Sequence, residues 1–110
     1  MTRPTWAAAR AFFDLPDDEK RQSPLTPAGA GYSPLQGERL AATGGQATPA
    51  DLKESLNIGA DFNAVPWPAR PAELRAACAD YFQAMDRLAG ALLGIAALAL
   101  NLRADYFADK

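Results

Sequence analysis

Carboxylates crowd at Asp14, Asp17, Asp18 and Glu19, one thiol stands at Cys78, and a Gly-x-Gly spans Gly29 and Gly31. Paired carboxylates can divide general acid and general base work. These follow or flank Pro16, which suits a first helical position, and the helix dipole favours negative charge there, so capping explains them better than catalysis. Lys20 and Arg21 come near the other end of the same short helix and read as solvated caps. A nucleophilic cysteine needs a neighbour that stabilises its thiolate. The chain has no histidine, which removes the commonest general base, the usual triads and every histidine-containing metal site. Cys78 sits in an apolar helical pattern, the usual home of an inert thiol. Pro34 stands where a dinucleotide fingerprint needs its third glycine, and no strong strand precedes the Gly-x-Gly. No catalytic, cofactor-binding or metal-binding residue is therefore assigned within the chain.

The elements that position these groups follow from periodicity. Trp6, Arg10 and Phe13, with the alanines between them, predict a first helix that stops near Leu15, because Pro16 disfavours helical geometry before it. A second, short helix begins at Pro16. Ser23 to Pro49 is crowded with Pro, Gly, Ser and Thr and reads as loop, with one extended piece at Gly31, Tyr32 and Ser33. Asp51 to Gly59 is the best strand: Leu52, Leu56 and Ile58 fall on one face, spoiled by Glu54, while Lys53, Ser55 and Asn57 fall on the other. That polar face either lines a cavity or meets water. Val65, Pro66, Trp67, Pro68 and Pro71 make a stiff connector, and Pro71 can occupy the first turn of a long helix. In that helix Leu74, Cys78, Tyr81, Met85, Leu88, Leu92, Ile95 and Ala99 form one stripe, which widens towards Leu100. Past Leu102 the pattern breaks, and Arg103 to Phe107 read as a turn into a short helix using Asp105 near its start. The fold class is α+β: mostly helical, with two short strands and one long C-terminal helix.

Composition narrows the partners. Eleven Lys and Arg against thirteen Asp and Glu give a net charge of -2, and the basic residues are scattered, which argues against nucleic acid. One cysteine excludes an internal disulfide, and without an export signal a reducing, cytoplasmic setting is expected. Leu88 to Leu100 is an apolar run of thirteen residues, short of the roughly 20 that cross a bilayer, so it reads as buried helix and no membrane is expected. Phe12, Phe13, Tyr81, Phe82, Tyr106 and Phe107 lack interleaved basic residues and read as core, not as stacking platforms for bases.

Several segments together resemble one family. Arg10 to Pro16 with Asp18, Glu19 and Lys20 is similar to the "FFxLPxEEK" segment of the isopenicillin N synthase-like non-haem iron dioxygenases. Gly31 and Tyr32 resemble the family's "GY", and Asp51 to Gly59 its "DxKExFxxG" strand. Pro66, Trp67 and Pro68 look like its "WP" connector. Tyr81, Phe82, Met85, Leu88, Leu92, Leu93, Leu98, Leu100 and Leu102 follow its long helix, and Tyr106 with Phe107 its "xxFF". The resemblance implies an N-terminal part of an oxygenase that oxidises a small organic substrate with dioxygen at Fe(II), usually with 2-oxoglutarate.

Members carry an "HG" segment before this point and a double-stranded β-helix, or jelly roll, after it. That barrel holds His-x-Asp, a later His and an Arg-x-Ser motif. Residues 1–110 are accordingly expected to be a partial N-terminal domain without catalytic barrel, inactive alone, binding no metal or cofactor itself. Tyr106 and Phe107 so near Lys110 look like a cut chain rather than a natural tail. The family's strand borders the substrate pocket, which makes Ser55 and Asn57 the substrate-lining candidates. The expected partners are the jelly-roll domain and the substrate. The alternative is a stand-alone interaction module, a homodimer through the apolar end of the long helix.

Overall fold

A computed structural model of the chain describes residues 3–35 and 51–108. The order of elements is α1 (Arg3–Phe13), α2 (Asp17–Lys20), β1 (Gly31–Ser33), β2 (Ser55–Asn57) and α3 (Leu74–Ala99). The architecture is α+β, as expected, and the expected loop from 36 to 49 lies outside the described residues.

Helix α1 stops before Pro16, as the proline dictates. Its buried face is Thr5, Ala8 and Phe12, while Trp6 is 61% exposed. Thr5 helps to fix this orientation: its hydroxyl donates to the carbonyl oxygen of Ala77, 3.2 Å away on α3. Ala8 supplies the small side chain that close packing of α1 on α3 requires, and Phe12 fills the space beyond it.

Strands β1 and β2 pair antiparallel with Gly31 opposite Asn57, Tyr32 opposite Leu56 and Ser33 opposite Ser55. The strand expected over Asp51 to Gly59 is thus three residues long, and Leu52, expected on its apolar face, is 80% exposed. Gly31 is required where it stands. Its φ is +118°, and a Cβ there would lie 2.3 Å from the Pro24 carbonyl oxygen. Gly29, with φ of +82°, closes a turn in which Thr26 and Ala30 bond across the loop. The Gly-x-Gly is therefore backbone geometry.

The connector is held by its own aromatics. The Trp67 indole N–H donates to the Phe62 carbonyl at 2.7 Å, and the Phe62 ring stands edge-on to Phe82, 5.0 Å between centroids. Arg70 clasps the Glu19 carboxylate of α2 through both its Nε and Nη2. Pro71 forms a turn whose carbonyl accepts from Leu74 N–H, and α3 starts at Leu74, later than a proline-led first turn implies.

Helix α3 ends at Ala99 and is capped by Asn101, whose φ of 56° places it in the left-handed region. Asn101 N–H donates to Leu98 and Leu102 N–H to Ala97, the paired bonds of a Schellman cap. Asn101 is thus the stop signal, slightly ahead of the break expected past Leu102. Residues 103–107 form turns and no short helix, and Tyr106, expected in the core, is exposed beside Phe107.

The expected stripe on α3 divides in two. Leu74, Ala77 and Cys78 are buried against α1, whereas Met85, Leu88, Leu92 and Ile95 are exposed. At 26 residues the helix is long and apolar enough to cross a membrane by length and composition. Its uninterrupted apolar run is only the thirteen residues from Leu88 to Leu100. A span of about 20 residues would carry Asp86 and Arg87 into the bilayer, at ~2.5–3.5 kcal/mol for each charge near its centre.

Candidate functional site

Strand β2 presents two chemically different faces, and the alternation of side chains along it decides what each can do. Leu56 and Ile58 turn inward and pack against the cluster of Ala8, Phe12, Tyr32, Leu74 and Cys78. Ser55 and Asn57 turn the other way, both half-buried. Register sets Ser33 opposite Ser55 and Gly31 opposite Asn57, so the structure brings Ser33 to the face of the two residues singled out from sequence. Ser33 was not foreseen there, because pairing register is not readable from two separate segments.

Glu54 falls on the inward face and resolves there in a way the sequence reading did not anticipate. Its Oε2 accepts from Lys20 Nζ at 2.8 Å and from the Tyr32 hydroxyl at 2.6 Å. Lys20, read as a solvated cap, is instead 5% exposed. Its ammonium meets Glu54, Asp17 Oδ1 at 3.2 Å and the Phe13 carbonyl at 3.4 Å, one partner for each N–H. It also lies 5.6 Å from the centroid of the Tyr32 ring. The correction has a physical cause: α2 is one turn long, so its last residue points back towards β2 instead of into water.

The electrostatics of this network are mutually reinforcing. The Glu54 hydrogen bond raises the Lys20 amine above its ordinary value against the opposing effect of burial. Burial would push the Glu54 carboxyl up, but the bonds from Lys20 and Tyr32 outweigh it and bring it below its ordinary value. Burial, then the neighbouring Glu54 carboxylate, pushes the Tyr32 phenol up. At neutral pH the set is ammonium, carboxylate and neutral phenol, which is a clasp and not an acid–base pair.

Between α1, β2 and α3 runs a groove of about 300 Å³ whose walls include Thr5, Phe12, Phe13, Leu56, Ile58, Cys78, Tyr81 and Phe82. It lies on the face of β2 opposite Ser55 and Asn57. Its lining can hold apolar surface and little else. Cys78 is buried at its wall, and burial pushes the thiol above its ordinary value, away from the thiolate a nucleophile needs. Among the described residues no three His, Cys, Asp or Glu groups gather as a metal site requires. A ligand set of two histidines and a carboxylate cannot be assembled from a chain without histidine. The described residues do not fit an iron site of that kind.

The molecule is thus an α+β domain: helices on one face of a short two-stranded ladder, a polar strand face on the other, and a long helix half exposed. Residues 2–77 match the family model described as non-haem dioxygenase in morphine synthesis N-terminal. The chain belongs to this family, the N-terminal domain of non-haem dioxygenases. The match takes in α1, α2, both strands and the start of α3, while the exposed half of α3 lies beyond it. No curated protein and no solved structure matches the chain.

Proposed function

We propose that the chain is the N-terminal supporting segment of a non-haem Fe(II) oxygenase of the isopenicillin N synthase-like type, dependent on 2-oxoglutarate and acting on a small organic substrate. The observation that carries this reading is the exposed apolar half of α3, from Leu88 to Leu100, on a domain of the dioxygenase family. So much contiguous apolar surface marks an interaction face. The occupant proposed is a jelly-roll domain of the same protein, which would also supply the iron ligands and the cosubstrate site. Ser55 and Asn57 would line the substrate pocket that the barrel closes. The setting proposed is cytoplasmic, with neither nucleic acid nor membrane as partner.

Two assays test this. The full-length protein, given Fe(II) and 2-oxoglutarate, should consume dioxygen in step with decarboxylation, whereas residues 1–110 alone should do neither. Turnover by residues 1–110 alone would sink the supporting role. Ser55→Ala and Asn57→Ala in the full-length protein should change substrate affinity or selectivity; unchanged values would remove these two residues from the pocket.

A second reading, a homodimer through the same helix, draws on Leu88, Leu92, Ile95 and Leu98, which α3 leaves exposed. Light scattering on residues 1–110 separates the readings. A defined dimer that unfolds cooperatively favours the module, and an aggregating or partly folded chain favours the segment.

A further inference from the structure

The β1–β2 ladder has three residue pairs, and two of them, Gly31 with Asn57 and Ser33 with Ser55, offer little side-chain packing. Tyr32 opposite Leu56 is the apolar pair that remains. The ladder itself therefore adds little to register beyond the inward face of Leu56 and Ile58, and a slip of one residue turns every side chain of β2 to the other face. Register therefore decides whether Ser55 and Asn57 face outward or into the Phe12 cluster.

We propose that the Lys20–Glu54–Tyr32 network is a positioning device that locks β2 in the register presenting Ser55 and Asn57 on one face, an inference that rests on the substrate-lining reading above. Glu54 immediately precedes Ser55, and its carboxylate is anchored from two elements: Lys20 at the end of α2 and the Tyr32 hydroxyl of β1. A one-residue slip would swing Glu54 to the opposite face. The buried Lys20 ammonium would then keep the Phe13 carbonyl and, as its only countercharge, the Asp17 carboxylate, whose side chain is 73% exposed, and the Tyr32 hydroxyl would lose its acceptor. A two-residue slip preserves the face but carries Glu54 about 6.8 Å along the strand, out of reach of both partners. Leaving a buried ammonium poorly paired costs more than the ladder bonds such a slip disturbs, so the network selects the native register over slips of one or two residues in either direction. Lys20, Glu54 and Tyr32 are positioning residues, since none of them lies on the Ser55 and Asn57 face.

The test is cross-strand linking in the full-length protein carrying Ser33→Cys and Ser55→Cys, with the linked peptide identified by mass spectrometry after mild oxidation. With the network intact the 33–55 link should form readily. Glu54→Gln should slow it at least tenfold, and Tyr32→Phe, the milder change should Glu54→Gln fail to fold, should slow it severalfold. A lower melting temperature with an unchanged linking rate would overturn the inference, because the network would then be structural only. No link in the intact background would also overturn it. If linking depends on Glu54 while Ser55→Ala and Asn57→Ala leave substrate affinity unchanged, the register lock stands and the substrate-lining reading falls.

Discussion

Lys20 Nζ lies 2.8 Å from Glu54 Oε2 across 34 residues of sequence, with the lysine side chain 7% and the glutamate side chain 26% exposed. A part-buried ion pair is costly to break from one side, because the surviving partner stays partly withdrawn from water without its countercharge. Lys20→Met keeps the length of the side chain and removes the ammonium. It should lower stability by about 2–4 kcal/mol in urea denaturation. Adding Glu54→Gln should cost clearly less than a second full penalty, since the charge left behind is then gone. Strict additivity of the two substitutions would show that the pair is not coupled.

The same pair fixes how stability responds to pH. Glu54 is held below its ordinary 4.5, so its contribution is present above that value and is lost as pH falls through the folded-state value. Lys20 is held above its ordinary 10.5 and Tyr32 above its ordinary 10.0. Their contributions are present below those values and are lost as pH rises through the folded-state ones. For this network alone a plateau between about pH 5 and pH 9.5 follows. In Glu54→Gln the acid limb should become shallower by up to one proton, about 1.4 kcal/mol per pH unit. An acid limb identical to that of the parent would mean that Glu54 does not couple to folding.

The family and most elements were legible in the sequence because they rest on strong local signals. Pro16 ends α1, Gly31 and Tyr32 make β1, and the three-and-four spacing from Leu74 makes α3. What escaped was tertiary. Glu54 read as a blemish on an apolar face and Lys20 as a cap, since neither residue carries a mark of the other. The buried face of α1 depends on Thr5 meeting Ala77, a contact between residues 72 apart in sequence. Ser55 and Asn57 could be placed on one face from alternation alone, but Ser33 beside them required the register.

Gly31 provides a test of backbone geometry. Gly31→Ala combines a φ of +118° with a Cβ 2.3 Å from the Pro24 carbonyl oxygen, and neither the strand nor the loop can yield without breaking the Tyr32 N–H bond to the Ser23 carbonyl, 2.7 Å long. The expected cost is about 3 kcal/mol or more, read as a drop in melting temperature of at least ~10 °C for a domain of this size. A loss under about 1 kcal/mol would mean that the loop before β1 rearranges freely.

Leu74 and Leu92 lie on the same stripe of α3 in opposite situations, 2% and 56% exposed. Leu74→Ala empties a filled site between α1 and α3 and should cost about 2–5 kcal/mol wherever it is measured. Leu92→Lys should behave differently in two settings. In residues 1–110 it removes exposed apolar surface and breaks no buried contact, so stability should move by less than about 0.5 kcal/mol while solubility improves. In the full-length protein, where a jelly-roll domain is proposed to cover this face, the same change would bury a lysine against apolar side chains and should destabilise by several kcal/mol. Denaturation curves of both forms decide it: if Leu92→Lys is as mild in the full-length protein as in the segment, the exposed half of α3 is not the docking face of the barrel.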